Sequence, residues 1–186
     1  MRWRIDGAQH LLRDGLCCRA ILPERMNIDH RLHYLALTAI IRKGDKYLIC
    51  RRASAESVYG GKWCVPGGKL EHQDIYGTPA DLPAHWTNEL ERALKREVRE
   101  ETGLEITNIR PVRDLALRMR NGYPMVILSM CADWGAGEVR LAPRELIAHA
   151  WVTAREARAY DLIDDIADQI ELADRRYWPA LARTDS

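Results

Sequence analysis

Three carboxylates crowd the segment from Arg96 to Leu104, which reads Arg-Glu-Val-Arg-Glu-Glu-Thr-Gly-Leu. Glu97, Glu100 and Glu101 are predicted to lie in the last turns of a helix, where the helix dipole disfavours each negative charge by about 0.3–1 kcal/mol. Glu97 and Glu101 are four residues apart, so they stack on one helix face and repel each other. Hard divalent cations bind carboxylate oxygens, relieve this repulsion and keep positions open for water and phosphate. The spacing therefore predicts a metal site.

The helical wheel places these carboxylates beside the side of the helix that should be buried. At about 100° per residue, one apolar face is formed by Leu90, Ala93, Leu94 and Val98. Glu97 and Glu101 fall on that face and Glu100 lies at its edge. A segment that violates dipole, pairing and burial preferences together is typical of a functional site. The alternative interpretation is a solvated charge run that ends a surface helix, with Gly103 as its left-handed cap.

A Pro-Gly-Gly turn lies upstream, in the segment from Gly61 to Glu71 that reads Gly-Lys-Trp-Cys-Val-Pro-Gly-Gly-Lys-Leu-Glu. Glycines let the backbone approach a ligand closely. Together with the glutamate segment, this turn resembles the Nudix hydrolase family, whose box reads Gly-x5-Glu-x7-Arg-Glu-apolar-x-Glu-Glu-x-Gly-apolar. The second half of the box matches at every fixed position, and the resemblance covers roughly residues 35–175. It implies an α/β fold, a Nudix-type α/β/α sandwich around a mixed β-sheet.

The first half of the box departs from the family spacing. Counting back from Arg96 places the isolated glutamate of the box at Asn88, which we interpret as a helix cap, with Glu91 completing a capping box. Residues 72–87 contain two prolines and no helical period, so they are predicted to be an inserted loop. Loops of this length are usually functional or mobile. The loop is either a substrate lid or an inert surface loop.

Composition and periodicity predict one domain with a sizeable core, because 47% of the 186 residues are hydrophobic. Residues 1–33 are predicted to be an N-terminal extension packed on the main domain of residues 34–186. Alternation predicts a hairpin with strands at 35–41 and 47–50. Further strands are expected at 112–118, at 125–132 and near 148–152, followed by a terminal helix at about 162–175.

The resemblance implies hydrolysis of a nucleoside diphosphate linked to another moiety, by attack of water on phosphorus. The expected cofactor is Mg²⁺, with Mn²⁺ as an alternative. The expected metal ligands are the carbonyl of Gly67 and the carboxylates of Glu97, Glu100 and Glu101. Arg96, Glu97 and Glu100 are the expected catalytic residues, with Arg96 orienting the carboxylates. The general base is Glu97, Glu100 or a glutamate from a distant loop, for which Glu138 and Glu145 are candidates.

Five residues near the box are expected to contact the substrate, namely Arg51, Arg52, Trp63, Gly68 and Lys69. Trp63 either stacks on a nucleobase or packs in the core. The approach to the glycines looks like that of family members acting on nucleoside triphosphates, including oxidised ones. A nucleotide-sugar or ADP-ribose pyrophosphatase is the alternative within the enzyme class. A non-catalytic nucleotide-sensing domain is the alternative from another class.

Charge and composition argue against other partners. The net charge is +1, and no basic block is interleaved with aromatics, so binding to a nucleic-acid polymer is not expected. No apolar run is long enough to span a bilayer, and the first residues are too polar for a signal peptide, so we expect a cytoplasmic protein. An odd number of cysteines, five, favours reduced thiols. The family includes homodimers, so self-association is a further expectation.

Overall fold

The computed structural model describes residues 31–55, 58–83 and 85–179. The strands are β1 (Tyr34–Lys43), β2 (Lys46–Arg52), β3 (Trp63–Cys64), β4 (Gly67–Lys69), β5 (Glu105–Arg118), β6 (Pro124–Ala136) and β7 (Leu146–Val152). The helices are α1 (His72–Tyr76), α2 (Glu89–Thr102), α3 (Ala154–Ala157) and α4 (Ile166–Tyr177). The predicted N-terminal extension lies outside the described residues except for residues 31–33. None of the described helices is long and apolar enough to cross a membrane.

Within the part of the chain that the structure describes, seven strands form one mixed sheet in the order β3-β2-β1-β6-β5, with β4 beside β1 and β7 beside β2. The pairing of β1 with β6 is parallel and the other pairings are antiparallel. The predicted hairpin is confirmed as β1 and β2. The other predicted strands are also present, and β5 and β6 are longer than alternation alone indicated. Local alternation therefore located these strands but not their full lengths, and it did not predict β4, which was interpreted as a turn.

Helices cover both faces of the sheet, as the sandwich prediction requires. On one face, Leu37 of β1 lines a groove with Leu94 of α2. Arg42 is an odd number of residues further along β1 and so points to the opposite face. There its guanidinium lies 5.0 Å from the ring centroid of Trp178, at the end of α4. The glutamate-bearing helix and the terminal helix are thus on opposite sides of the sheet.

The terminal helix begins at Ile166, later than the predicted start near residue 162. The residues before it pair with β3 instead. Leu162 forms a parallel bridge with Trp63, and the Ile163 amide donates a 2.8 Å hydrogen bond to the Trp63 carbonyl. These long-range backbone contacts keep the segment extended, although its apolar spacing resembles that of a helix.

Residues 72–76 form a helix, so the prediction that the segment 72–87 has no helix was wrong. It opens with α1, whose five residues are too few to show a hydrophobic period. The Trp86 indole donates to the Thr78 carbonyl at 2.9 Å, and the Asp81 carboxylate accepts from the Thr87 amide at 2.7 Å. These internal hydrogen bonds hold the segment together between α1 and α2.

The start of α2 also differs from the prediction. Asn88 lies in the left-handed region, with φ 57° and ψ 25°, and its side chain makes no capping hydrogen bond. A capping side chain needs an extended backbone at that position, so the predicted capping box with Glu91 is absent. Leu90, expected on the buried face, is exposed, whereas Leu94 and Val98 are buried as predicted. The first turn of α2 therefore stands away from the sheet.

Candidate active site

Arg96 lies at the centre of a carboxylate cluster on α2. Its Nε and Nη2 donate to the two oxygens of Asp74 at 2.6 and 2.9 Å. Its Nη1 donates to Glu100 Oε2 at 2.9 Å, and Nη2 also donates to Glu97 Oε1 at 3.0 Å. A planar guanidinium with several donors suits this role better than an ammonium would. One arginine thus contacts three carboxylates, and its orienting role in catalysis stays a prediction.

Asp74 is a member of the cluster that the sequence analysis missed. Its side chain is only 5% exposed, and it is 22 residues from Arg96 in the chain. Burial by itself would raise the pKa of Asp74, but hydrogen bonds from Arg96 and the Glu71 amide outweigh it and hold the pKa below its usual value. The carboxylate therefore stays charged and anchors α1 to α2.

The position of Asp74 changes how the box is read. Counting forward from Gly68 over five residues reaches Asp74, so an aspartate stands where the box has its isolated glutamate. The interpretation that put Asn88 at this position was wrong, because it counted back across the additional residues. The residues that exceed the family spacing therefore lie between Asp74 and α2, whereas the sequence analysis had them begin at residue 72. A forward count from the glycines was the signal that would have identified Asp74.

Glu101 is the buried glutamate of α2. Its Oε2 accepts a 2.9 Å hydrogen bond from the Gly67 amide. Burial raises the pKa of Glu101 to about 8, and repulsion from Glu145 and Glu97 acts in the same direction, while the Gly67 hydrogen bond opposes it. The contact between the Gly-Gly strand and the end of α2 thus places a carboxylate where burial disfavours its charge.

Gly67 and Gly68 allow β4 to approach both β1 and α2 closely. A Cβ added to Gly68 would lie 2.3 Å from Cδ of Glu97. Gly67 has φ 150°, and a Cβ there would lie 2.1 Å from the Leu37 carbonyl oxygen. Burial raises the pKa of Glu97, although Arg96 counteracts the shift. The two glycines therefore make room for the Glu97 carboxylate and for the strand itself.

Glu100 and the two candidate bases from distant loops differ in their surroundings. The Glu100 side chain is 59% exposed and contacts the cluster through its ion pair with Arg96. Glu145 lies close enough to Glu101 to raise its pKa. The Glu138 carbonyl lies beside Gly103, just past the end of α2. Of the two distant candidates, Glu145 is the one that acts on the buried carboxylate.

The donor chemistry of the cluster fits a hard divalent cation. Within the described ranges, no three carboxylate, imidazole or thiolate groups already stand close enough together to hold an ion. In this arrangement Arg96 engages Glu97 and Glu100, and Glu101 bonds to a backbone amide. All three supply carboxylate oxygens. A bound cation would offset both the repulsion between the carboxylates and the cost of burying the Glu101 charge, which together raise the pKa of Glu101. Glu97, Glu100 and Glu101 would hold Mg²⁺ or Mn²⁺, with the Gly67 carbonyl as a further expected ligand.

The arginines and the tryptophan expected to bind substrate make contacts within the protein. Arg51 Nε donates to the Gly61 carbonyl at 2.9 Å, and Arg52 Nε donates to the Val58 carbonyl at 3.2 Å. Both contacts hold the connection between β2 and β3. Trp63 packs edge-on against Tyr160, with ring centroids 4.8 Å apart, which favours the packing interpretation. Their roles in substrate binding stay predictions.

Three cysteines lie in the described residues, Cys50, Cys64 and Cys131, and all are buried free thiols. Burial raises the pKa of Cys64 to about 12, so its thiol stays protonated and is a poor nucleophile.

Comparison with known proteins places the chain in a family. The NUDIX domain profile matches residues 32–173. Nucleoside triphosphatase NudI of Klebsiella pneumoniae (strain 342) is 29% identical over 134 residues, which cover 66% of this chain and 84% of that protein. NudI of Enterobacter sp. (strain 638) is 38% identical over 74 residues, 39% of this chain and less than half, 43%, of that protein.

The fold agrees with this assignment. The crystal structure of the MutT NUDIX hydrolase from Burkholderia pseudomallei matches with a TM-score of 0.58 at 22% identity, covering 76% of this chain and 98% of that chain. The profile match extends across the sheet, the Gly-Gly strand, α2 and most of α4. The chain therefore belongs to the Nudix hydrolase family and is a Nudix pyrophosphohydrolase.

Proposed function

We propose that this protein hydrolyses nucleoside triphosphates, including oxidised ones, in a reaction that depends on a divalent metal ion. The observation that carries the proposal is the cluster in which Arg96 holds Glu97 and Glu100, beside a buried Glu101 and the Gly-Gly strand. Curated relatives named nucleoside triphosphatase support the substrate class. In the reaction, water attacks a phosphorus atom, a phosphoanhydride bond breaks, and the leaving phosphate oxygen keeps the electron pair.

The chain's own residues supply position and proton transfer. When bound, Mg²⁺ or Mn²⁺ screens the charge of the substrate phosphates and acidifies water. Arg96 keeps the carboxylates of Glu97 and Glu100 oriented, and Gly68 leaves space for Glu97. We assign the general base to Glu97, because its carboxylate lies against Gly68 and is oriented by a hydrogen bond from Arg96. Exposed Glu100 is then assigned to metal binding.

The test compares Glu100→Gln with the matched control Glu91→Gln. Both glutamates are exposed on α2, and Glu91 pairs with Lys95 Nζ at 2.6 Å, away from the cluster. We expect Glu100→Gln to lower kcat for triphosphates roughly a hundredfold or more, the scale seen when a charged catalytic group is removed. Glu91→Gln should retain the wild-type rate. The assay is Mg²⁺-dependent release of phosphate or pyrophosphate, with and without chelator.

The substrate panel separates the alternatives. It contains nucleoside triphosphates, oxidised nucleotides, nucleotide sugars and ADP-ribose. Turnover confined to nucleotide sugars or ADP-ribose would contradict the proposed substrate class. Nucleotide binding without any turnover would contradict catalysis and favour a nucleotide sensor. Full activity in the Glu100→Gln, Glu101→Gln double variant would contradict the proposed metal site.

A further inference from the structure

The strand at one end of the sheet, β5, has an outer edge that no described strand pairs with. β5 is last in the sheet order, and its strand partner among the described residues is β6 alone. An open edge presents backbone N–H and C=O groups that can pair with a strand of another chain. The two halves of β5 treat this edge differently.

The first half of β5 carries features that discourage strand addition. Its pairing with β6 is interrupted by three register shifts between residues 105 and 113. Pro111 has no N–H to offer, and Arg176 Nη1 of α4 donates to the Val112 carbonyl at 2.9 Å. Bulges, proline and covering side chains are the means by which proteins keep sheet edges from associating. This half of the edge is therefore protected.

The second half, residues 114–118, lacks these features, and we call it the edge segment. It reads Asp-Leu-Ala-Leu-Arg and pairs with residues 124–128 without a register shift. Leu115 is partly buried and the other four residues are exposed. Neither Asp114 nor Arg118 forms an ion pair or a side-chain hydrogen bond with another described residue. The edge segment is thus a regular, exposed strand edge with one acidic and one basic end.

The backbone of the edge segment has groups available for pairing. The Met119 amide donates to the Tyr123 carbonyl at 2.9 Å, so the backbone of Met119 points toward β6. Direction alternates along an antiparallel strand, so the N–H and C=O of Arg118 point outward. Pro124, the partner of Arg118 on β6, has no N–H to donate, which agrees with this alternation. The outward groups therefore belong to the first, third and fifth residues of the edge segment.

The edge segment is complementary to itself. Antiparallel alignment of two copies about a two-fold axis at Ala116 places Asp114 opposite the partner's Arg118 and Leu115 opposite the partner's Leu117. The outward groups then form the hydrogen-bonded pairs, each of which exchanges two N–H···O bonds. The leucines fall in the other pairs, where facing side chains are closest. Opposite charges and apolar side chains placed directly across from each other stabilise a sheet.

We propose that the edge segment is the interface of a homodimer in which two copies of this chain form one continuous sheet. A second copy is the occupant because its own segment supplies both opposite charges and both apolar partners in a single register. The contacts of α4 with Pro111 and Val112 lie before the edge segment and leave it open. Five residues on each side make a small interface, so the dimer is weak and reversible. The inference is independent of the reaction.

The first experiment measures sedimentation of the full chain from about 1 µM to 1 mM, the range of weak association. The wild type should dimerise as concentration rises. Asp114→Arg and Arg118→Asp each place like charges opposite each other at two positions, so each should weaken dimerisation about tenfold or more. Arg155→Asp, at an exposed position on α3, makes the same charge change as Arg118→Asp and should leave dimerisation unchanged.

The second experiment mixes the two charge variants in equal amounts. The Asp114→Arg chain carries two positive charges in the edge segment and the Arg118→Asp chain carries two negative charges. The mixture should therefore form a heterodimer about as strong as the wild-type dimer, although neither variant dimerises well alone. The chain with both substitutions should dimerise with itself, because the two charges have exchanged places. Ala116→Pro, which removes the central N–H, should abolish association in either background.

Three results would overturn the proposal. One is a wild type that stays monomeric through the whole range, and another is unchanged dimerisation of the single charge variants. The third is a mixture of folded single variants, checked by circular dichroism, that does not associate. If a single variant does not fold, the chain with both substitutions decides, since dimerisation supports the edge segment and a monomer overturns it.

Discussion

Replacing Asp74 by asparagine should destabilise the junction between α1 and α2. The carboxylate accepts hydrogen bonds from Arg96 at 2.6 and 2.9 Å and from the Glu71 amide at 2.7 Å. Asparagine has nearly the same shape but carries no charge, and its amide nitrogen cannot accept. At least one contact with Arg96 is therefore lost, and the other is no longer between two charges.

The size of the effect follows from burial and from the remaining partners of Arg96. Removing one partner of a buried ion pair costs about 3–5 kcal/mol, and one hydrogen bond to a charged group contributes about 1.5–3 kcal/mol. Asp74 is 5% exposed, but Arg96 is 26% exposed and keeps Glu97 and Glu100 as partners. The arginine is therefore not left uncompensated. We expect the free energy of unfolding to fall by about 2 kcal/mol, near the lower end of these ranges.

The assay is urea unfolding of the wild type, Asp74→Asn and Asp81→Asn. Asp81 belongs to the same segment, but its side chain is 37% exposed, and its pairing with Arg92 is longer, at 3.3 Å. A double-mutant cycle with Arg96→Met isolates the coupling between Asp74 and Arg96. Because the pKa of Asp74 is lowered in the folded state, the stability it contributes is present above its usual pKa of 3.8 and is lost as the pH falls below that value. The stability difference between wild type and Asp74→Asn should therefore shrink in acid.

Two results would refute this reasoning. One is a loss of stability in Asp74→Asn no larger than that in Asp81→Asn. The other is a coupling energy near zero in the cycle with Arg96→Met. Either would mean that the buried pair does not hold α1 against α2.

Two further predictions concern the strand of glycines and the buried carboxylate. Gly68→Ala should lower metal-dependent turnover with little loss of stability, because its Cβ would displace the movable Glu97 carboxylate. Gly67→Ala should instead lower the unfolding midpoint, because its Cβ would meet the Leu37 backbone. Comparable thermal stability of the two variants would contradict this difference. In the metal-free protein the pKa of Glu101 is raised from 4.5 to about 8, so stability should fall as the pH rises between these values, and Glu101→Gln should remove that dependence. Calorimetry in buffers of different ionisation enthalpy should also detect proton release when Mg²⁺ binds at neutral pH, and no release would contradict Glu101 as a ligand.

The sequence by itself determined the features that depend on local spacing. The alternation of residues 35–41 and 47–50 predicted the β1–β2 hairpin, and the apolar positions Leu94 and Val98 predicted the buried side of α2. Gly103 ends that helix in the left-handed conformation with φ 71°, as expected of a C-terminal cap. These predictions succeeded because a strand or helix imposes its own period on neighbouring residues, whatever the rest of the chain does.

Only the tertiary structure decided which distant residues meet. Asp74 reaches Arg96 because α1 packs beside α2, and no local period reports a contact between residues 22 positions apart. Trp63 packs against Tyr160, and its carbonyl holds Ile163 in an extended segment, so α4 starts later than predicted. In each case the physical reason is the same: the contact depends on the path of the chain, which packing of the whole domain selects and local propensity does not.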